Sequence, residues 1–341
     1  MRDKLSVLKE YFGHDSFREG QDRITDSLLG GRDVLGIMPT GAGKSICYQV
    51  PALMFDGITI VVSPLISLMK DQVSALVQSG VAAAYINSSL THAQYLKVLQ
   101  NTESGKYKII YIAPERLCAP AFLGICRNLN ISMVAVDEAH CVSQWGQDFR
   151  PSYLKIPDFI DALNSRPVVG AFTATATGAV RDDIKTLLRL VSPLVVTTGF
   201  DRPNLFFSVM QPKNKSIELM KLIKERKNES GIVYCSTRKA VEEVCELLQK
   251  NGFAATRYHA GLDENERRRN QDDFVYDRAT IMVATNAFGM GIDKSNVSSS
   301  TTTCRRIWRA TIRRRDAPGA TAGVRTVFCS TVQRMCGRIS S

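Results

Sequence analysis

Along the first part of the chain, short runs in which almost every residue is apolar alternate with longer stretches whose apolar residues recur every three or four positions. The runs are DVLGIM (Asp33 to Met38), ITIVVS (Ile58 to Ser63), AAAYI (Ala82 to Ile86), KIIYIA (Lys108 to Ala113), MVAVDE (Met133 to Glu138) and VVGAFTA (Val168 to Ala174). Strands apolar on both faces belong to a sheet covered on both sides, and helices between successive strands make that sheet parallel. An amphipathic helix, MRDKLSVLKEYF, and a turn precede the first run. DRPN (Asp201 to Asn204) breaks the alternation, which restarts with LFFSVM, GIVYC, AATRYH and TIMVAT and stops after Val297. The pattern predicts two α/β domains in tandem, with no fixed-period repeat and no low-complexity linker.

Length and composition agree with this division. The 341 residues suit two domains, and 44% apolar with 23% charged residues are globular values. No apolar run has the length of a membrane span, and the N-terminal helix lacks the pattern of a signal peptide; a cytoplasmic protein without a membrane partner is expected. The nine cysteines are scattered with no C-x-x-C pair, which supports neither a zinc site nor a disulfide framework. They read as reduced thiols, mostly in the core. The net charge of +11 is unevenly placed, because the 44 residues from Ser298 onward hold nine arginines, no lysine and one acid, Asp316. Nucleic-acid binding therefore has to rest on motifs and not on overall charge.

MPTGAGKS (Met38 to Ser45) joins the first apolar run to a helical pattern that starts near Lys44. Gly41 and Gly43, with Thr40 and Ala42 beside them, let the backbone turn its N–H groups toward phosphate oxygens. Lys44 is placed to reach the β and γ phosphates, and Ser45 to ligate magnesium at the positive end of the helix. Met38 stands where the strict pattern has its first glycine, so a plain glycine turn is the competing reading. VAVDEAH (Val134 to His140) weighs against it. Asp137 and Glu138 fall at the C-terminal end of a strand, where a parallel sheet presents its ligands; there Asp137 can hold the metal and Glu138 can orient or deprotonate an attacking water.

In this order the motifs resemble the superfamily 2 helicases, and among them the RecQ DNA helicases, over roughly Met1 to Val297. FGHDSFREGQ resembles the family's motif 0, which implies that Arg18 contacts the nucleotide, Gln21 the adenine edge and His14 the adenine face, where a tyrosine is usual. SPLISLMKDQV (Ser63 to Val73) and APERL (Ala113 to Leu117) resemble the strand-tracking motifs Ia and Ib, FTATAT (Phe172 to Thr177) resembles motif III, and DEAH adds His140 to the catalytic set. CVSQWGQDFRPSY (Cys141 to Tyr153) resembles the aromatic-rich loop that links DNA binding to ATP hydrolysis, which implies DNA contacts by Ser143, Trp145, Phe149 and Arg150. Aromatic rings stack on bases, while an arginine pairs with a phosphate or a catalytic acid. Aromatic residues are more often core than platform, but interleaving with Gly, Gln, Asp and Arg directly after the acidic strand reverses that expectation here. IVYCSTRKAVEEV, YHAGL and VATNAFGMGIDK resemble motifs IV, IVa and V. Motif V differs from the ARGLD form of DEAD-box RNA helicases and implies that Asn286, Gly289, Gly291 and Asp293 sit in the cleft between the domains, with Asp293 at the nucleotide. His92, in a polar helix, reads as solvated.

The resemblance implies a P-loop NTPase with two RecA-like parallel-sheet domains, 1–203 and an incomplete 204–297, followed by an aberrant basic segment, 298–341. It implies ATP and Mg2+ as cofactors, single-stranded and duplex DNA as partners, a monomer, and 3′ to 5′ movement in recombination and repair. The family's zinc-binding and winged-helix regions have no counterpart here, so no zinc site is implied. In the family, motif V is followed by a strand like FVIHYNMPKNLESYY and then by motif VI, QEAGRAGRDG, whose arginines reach the γ-phosphate. Neither appears, but back-translating YYQEAGRAGRDG and reading one base later accommodates TIRRRDAPGATA, Thr311 to Ala322, without a mismatch. The same shift accounts for Ser298 to Ala310, and undoing it over Arg325 to Gly337 permits ADCVLLYSAEDVR. The tail thus reads as RecQ coding sequence in the +1 frame, with Ala317 and Ala320 at the arginine positions. Its low apolar content and self-repelling charge predict a disordered segment, and loss of two strands from the second sheet. Two rival readings are a DEAD- or DEAH-type RNA helicase and a non-catalytic remnant that binds ATP or DNA.

Overall fold

In the computed structural model the chain divides into two units, 1–200 and 201–341. The structure describes residues 3–39, 41–146, 148–199, 212–226, 229–285 and 288, and the backbone of 205–210, 297–301 and 325–330.

The first unit opens with helices α1 (Lys4–Phe12) and α2 (Gln21–Leu29). Gly13 stops α1 in a left-handed conformation, φ 69°, and returns its N–H to the Lys9 carbonyl, a helix end that L side chains disfavour. Strands and helices then alternate: β1 (Val34–Ile37), α3 (Lys44–Met54), β2 (Ile58–Val62), α4 (Ile66–Gln78), β3 (Ala83–Ile86), α5 (His92–Glu103), β4 (Ile109–Ile112), α6 (Pro120–Arg127), β5 (Ile131–Val136), α7 (Ile156–Asp161), β6 (Val168–Thr173), α8 (Gly178–Leu187) and β7 (Leu194–Thr197). The seven strands form one parallel sheet in the order β3-β4-β2-β5-β6-β1-β7. Every residue of β1, β2, β4 and β6 is buried. Successive residues feed opposite sides: Leu35, Ile37, Ile60 and Val62 join one apolar cluster, Val34 and Val61 the other. Each such side chain contributes about 1.5–3 kcal/mol on burial, which is why both faces carry helices. The six runs read from the sequence are β1 to β6. Strand β7 escapes that reading because it is a short edge strand of mixed burial, with Val196 buried and Thr197 exposed.

The second unit has β8 (Leu205–Met210), α9 (Lys215–Glu225), β9 (Ser230–Tyr234), α10 (Arg238–Lys250), β10 (Ala255–Tyr258), α11 (Glu264–Val275), β11 (Ile281–Ala284), β12 (Val297–Thr301) and β13 (Arg325–Ser330). They form a parallel sheet in the order β10-β11-β9-β12-β13-β8. The expectation that the out-of-frame tail contributes no strand is corrected for two segments. Val297 pairs with Ser230 and Thr301 with Tyr234, while Arg325 to Ser330 run beside Leu205 to Met210. A ladder is made by backbone N–H and C=O groups that every non-proline residue carries, and Thr, Val and Phe favour extended backbone. The rest of the tail, 302–324 and 331–341, lies outside the described residues.

One buried acid ties three strands of the first unit together. Asp33, 2% exposed, precedes β1. It accepts both Arg166 guanidinium nitrogens, at 3.1 and 2.5 Å, and the backbone N–H groups of Val169 on β6 and Val191 ahead of β7, at 2.9 and 2.7 Å. A buried donor stripped of its acceptor costs about 1–3 kcal/mol. Asp33→Ala is therefore expected to lower stability of the first unit by about 2–4 kcal/mol, read as a fall in the urea midpoint; an unchanged midpoint would show that water replaces the carboxylate without cost.

Candidate active site

Because the first sheet is parallel, the C-terminal ends of its strands share one edge, and the motifs are distributed along it by strand order. Strands β4 and β2 end at Ala113 and Ser63, the first residues of APERL and SPLISLMKDQV. Next comes β5, ending before Asp137, then β6, ending at Thr173, then β1, which leads into the glycine loop. APERL and SPLISLMKDQV thus occupy one half of the edge and the glycine loop the other, with the DEAH strand between them.

Gly41 and Gly43 have φ of 82° and 76°, so both hold the left-handed conformation that glycine adopts at no steric cost. Gly43 is the N-cap of α3 and makes no side-chain capping bond, leaving the first N–H groups of an 11-residue helix directed at the loop. A Cβ on Gly43 would lie 2.4 Å from Gln21 Nε2. Gln21 is buried and donates to the carbonyls of Ala42 and Gly43 at 2.8 and 3.1 Å, while Arg18 donates to the Gly41 carbonyl at 2.6 Å. Motif 0 therefore sits directly on the loop. His14 is exposed in the turn before it, and Lys44 and Ser45 open α3, with Lys44 Nζ 3.2 Å from the Met38 carbonyl. One turn on, burial pushes the Cys47 thiol up to about 12 against the pull of Lys44, so it stays protonated.

Asp137, 7% exposed, closes the β2–β5 ladder by donating its N–H to Val62, and its Oδ1 accepts the Glu138 N–H at 2.9 Å. Glu138 itself is left-handed, φ 48°, an uncommon conformation for a residue with a side chain, and this turns the chain off the strand. Glu138 Oε2 lies 3.2 Å from His140 Nδ1, and the same nitrogen lies 3.0 Å from Thr173 Oγ1. Since Thr173 Oγ1 donates to the Thr175 carbonyl, it receives from the ring; this assigns the proton to Nδ1. The Thr173 carbonyl meanwhile accepts the Met38 N–H at 3.0 Å. One residue of β6 thus joins the glycine loop to the DEAH acids.

The segment after DEAH folds back on itself. Ser143 Oγ donates to Asp183 of α8 at 2.6 Å and accepts from the Trp145 N–H, and Arg150 N returns to the Cys141 carbonyl at 2.9 Å. A Cβ on Gly146 would overlap the His140 carbonyl oxygen at 2.2 Å, so only glycine fits. Trp145 is left 79% exposed, which is the placement of a platform and not of a core residue, and Phe149 is half-buried. Arg150 is half-buried as well. Its guanidinium pairs with Asp148, two residues away, and donates to the Pro64 carbonyl at 2.8 Å, so in this state its partners are a loop acid and the start of motif Ia, reached because the loop closes beside β2.

Of the residues expected from sequence, His14, Arg18, Gln21, Gly41, Ala42, Gly43, Lys44 and Ser45 lie on or beside the glycine loop, and Asp137, Glu138 and His140 at the end of β5. Thr40, Asn286, Gly289, Gly291 and Asp293, and the tail positions Ala317 and Ala320, lie outside the described residues. Asp148, Tyr153 and Asp183 were not singled out as site residues, and Thr173 only as part of a motif, since nothing in a single sequence marks a hydroxyl or carboxylate as a bridge.

Comparison with known proteins bears on this geometry. Residues 18–184 match the DEAD/DEAH box helicase family, and 214–300 the helicase conserved C-terminal domain. The chain is 48% identical over 293 residues to the ATP-dependent DNA helicase RecQ of Bacillus subtilis (strain 168), covering 86% of this chain and 50% of that protein. It is 45% identical to the RecQ of Pasteurella multocida (strain Pm70) over the same length, 86% of this chain and 46% of the relative. The chain belongs to the RecQ helicases. It spans about half the length of the RecQ relatives it matches. The fold is shared with the DUF1998 helicase MrfA solved bound to DNA, with a TM-score of 0.78 at 17% identity, covering 97% of this chain and 51% of that one. Among the described residues of this RecQ chain, no helix is long and apolar enough to cross a membrane.

Proposed function

We propose that the chain binds ATP with Mg2+ on its first unit and single-stranded DNA along the same sheet edge, as part of an ATP-dependent helicase that moves 3′ to 5′ and unwinds duplexes in recombination and repair. The observation that carries this reading is the join through Thr173, which sets an uncapped helix N-terminus and a buried acid one strand apart. The residues suit the nucleotide. Two left-handed glycines and the start of α3 offer N–H groups to phosphate oxygens, and Lys44 adds a cation. Arg18 and Gln21 stand beside the loop for the base and phosphates. A magnesium ion held by Ser45 and Asp137 would neutralise phosphate charge. Glu138 is placed to orient and deprotonate water, with His140 and Thr173 fixing its carboxylate. A cytoplasmic monomer accords with this reading.

Catalysis in this chain is proposed to be impaired. The helicase C-terminal match ends at residue 300, close to where the sequence departs from the family's frame. Ala317 and Ala320 replace the motif VI arginines, and such a finger is worth roughly 10³ to 10⁵ in rate. This favours, as a second reading, a chain that binds ATP and DNA and turns over little.

Lys44→Ala is expected to abolish Mg-ATP binding measured by calorimetry, because it removes the cation aimed at the β and γ phosphates; unchanged affinity would overturn the nucleotide assignment. Trp145→Ala is expected to weaken oligo-dT binding by about 1–3 kcal/mol, the worth of one stacked base, and equal affinities at moderate salt would remove Trp145 from the DNA site. Correcting the reading frame after Val297 is expected to raise DNA-stimulated ATP hydrolysis at least about a hundredfold. Equal turnover by the two chains would show that the tail as it stands is a working part.

A further inference from the structure

Tyr153 is fully buried in the short 3-10 helix Pro151–Lys155 that follows the aromatic loop, and its ring belongs to the apolar cluster on one face of the first sheet. Its hydroxyl does something packing does not require: it donates to the main-chain carbonyl of Asp137 at 2.9 Å. That carbonyl belongs to the peptide joining Asp137 to the left-handed Glu138, so its direction sets where both carboxylates point. Burial, reinforced by the charges of Cys141, Asp137 and Glu138, pushes the phenol well above the usual tyrosine range, and it remains a neutral donor.

The backbone of Tyr153 is tied to the other end of the same loop. Its N–H donates to the Arg150 carbonyl, and Arg150 N–H donates in turn to the Cys141 carbonyl, both at 2.9 Å. Arg150 is thus held on its N–H side by the residue after His140 and on its carbonyl side by Tyr153, while its guanidinium reaches Asp148 and Pro64. A change in how Arg150 is seated is transmitted through one peptide hydrogen bond to Tyr153, and through a rigid ring to the Asp137 carbonyl.

We propose that Tyr153 is a positioning residue for the acidic pair: its hydroxyl fixes the Asp137–Glu138 peptide and makes the direction of the metal-facing carboxylate follow the seating of the loop that carries Trp145 and Arg150. The proposal rests on the nucleotide reading above, since it assigns Asp137 to the metal. It requires the hydroxyl and not merely the ring, which separates it from a role in packing.

The test compares the unsubstituted chain, Tyr153→Phe and Tyr107→Phe, the last losing a phenolic oxygen that accepts from Asn101 at 2.9 Å, away from the acids. The affinity of each for a fluorescent methylanthraniloyl-ATP is measured in Mg2+ and in EDTA, with and without oligo-dT. In the unsubstituted chain and in Tyr107→Phe, Mg2+ tightens binding, and oligo-dT changes that tightening. In Tyr153→Phe the tightening is expected to shrink about threefold to tenfold, as for one lost hydrogen bond, and its response to oligo-dT to vanish, with affinity in EDTA retained. Equal losses in Mg2+ and EDTA, or a metal effect equal to that of the unsubstituted chain, would overturn the proposal while leaving the nucleotide reading intact. No metal effect in the unsubstituted chain would overturn both.

Discussion

The hydrogen bonds of Thr173 hold the site together. Its carbonyl takes the N–H of Met38, where the glycine loop begins, and its hydroxyl takes the ring proton of His140, whose nitrogen also faces Glu138. These contacts are possible because β6 lies between β1 and β5 in a parallel sheet, so that residues far apart in sequence end on one edge. Chain order alone would put the glycine loop and the DEAH acids far apart. Strand order brings them within one strand of each other, and left-handed residues, Gly41 and Gly43 in the loop and Glu138 after β5, turn the chain there. Strain at Glu138 is tolerated because ladders on both sides fix the strand that enters it.

Much of this was legible in the sequence. The six apolar runs of the first unit read as strands because a strand buried on both faces has no polar alternation to hide it, and the glycine loop and DEAH acids read as a site because few arrangements use those residues in that order. What could not be read was connectivity between side chains. Asp33 looks like an ordinary turn acid, yet it closes the ends of three strands. Arg150 was read as pairing with a phosphate or a catalytic acid, and nothing in that reading pointed to Asp148 or the Pro64 carbonyl, which its guanidinium meets in the folded loop. Strand β7 was missed because four residues of mixed burial at the sheet edge carry too little periodicity to stand out.

The tail separates two kinds of information. A change of reading frame, as proposed for the tail, would erase side-chain chemistry but leave every non-proline residue a backbone donor and acceptor. Strands β12 and β13 pair beside β9 and β8. Backbone pairing can thus persist where catalytic chemistry does not, and presence of a strand says nothing about retention of activity. The first unit carries the glycine loop, the DEAH acids and the aromatic loop on one sheet edge, and the second unit's described sheet includes two strands from the tail.

The central claim is that one edge of the first sheet serves nucleotide and DNA together, through β5 and β6. Hydrogen exchange read by mass spectrometry, with Mg-bound non-hydrolysable ATP and oligo-dT added singly and together, tests it directly. Nucleotide is predicted to protect 41–46 and 136–140, oligo-dT to protect 63–66 and 143–150, and the two together to protect 137–143 and 172–175 beyond the sum of either alone. Protection that is additive everywhere, or that leaves 137–143 unchanged, would contradict the account.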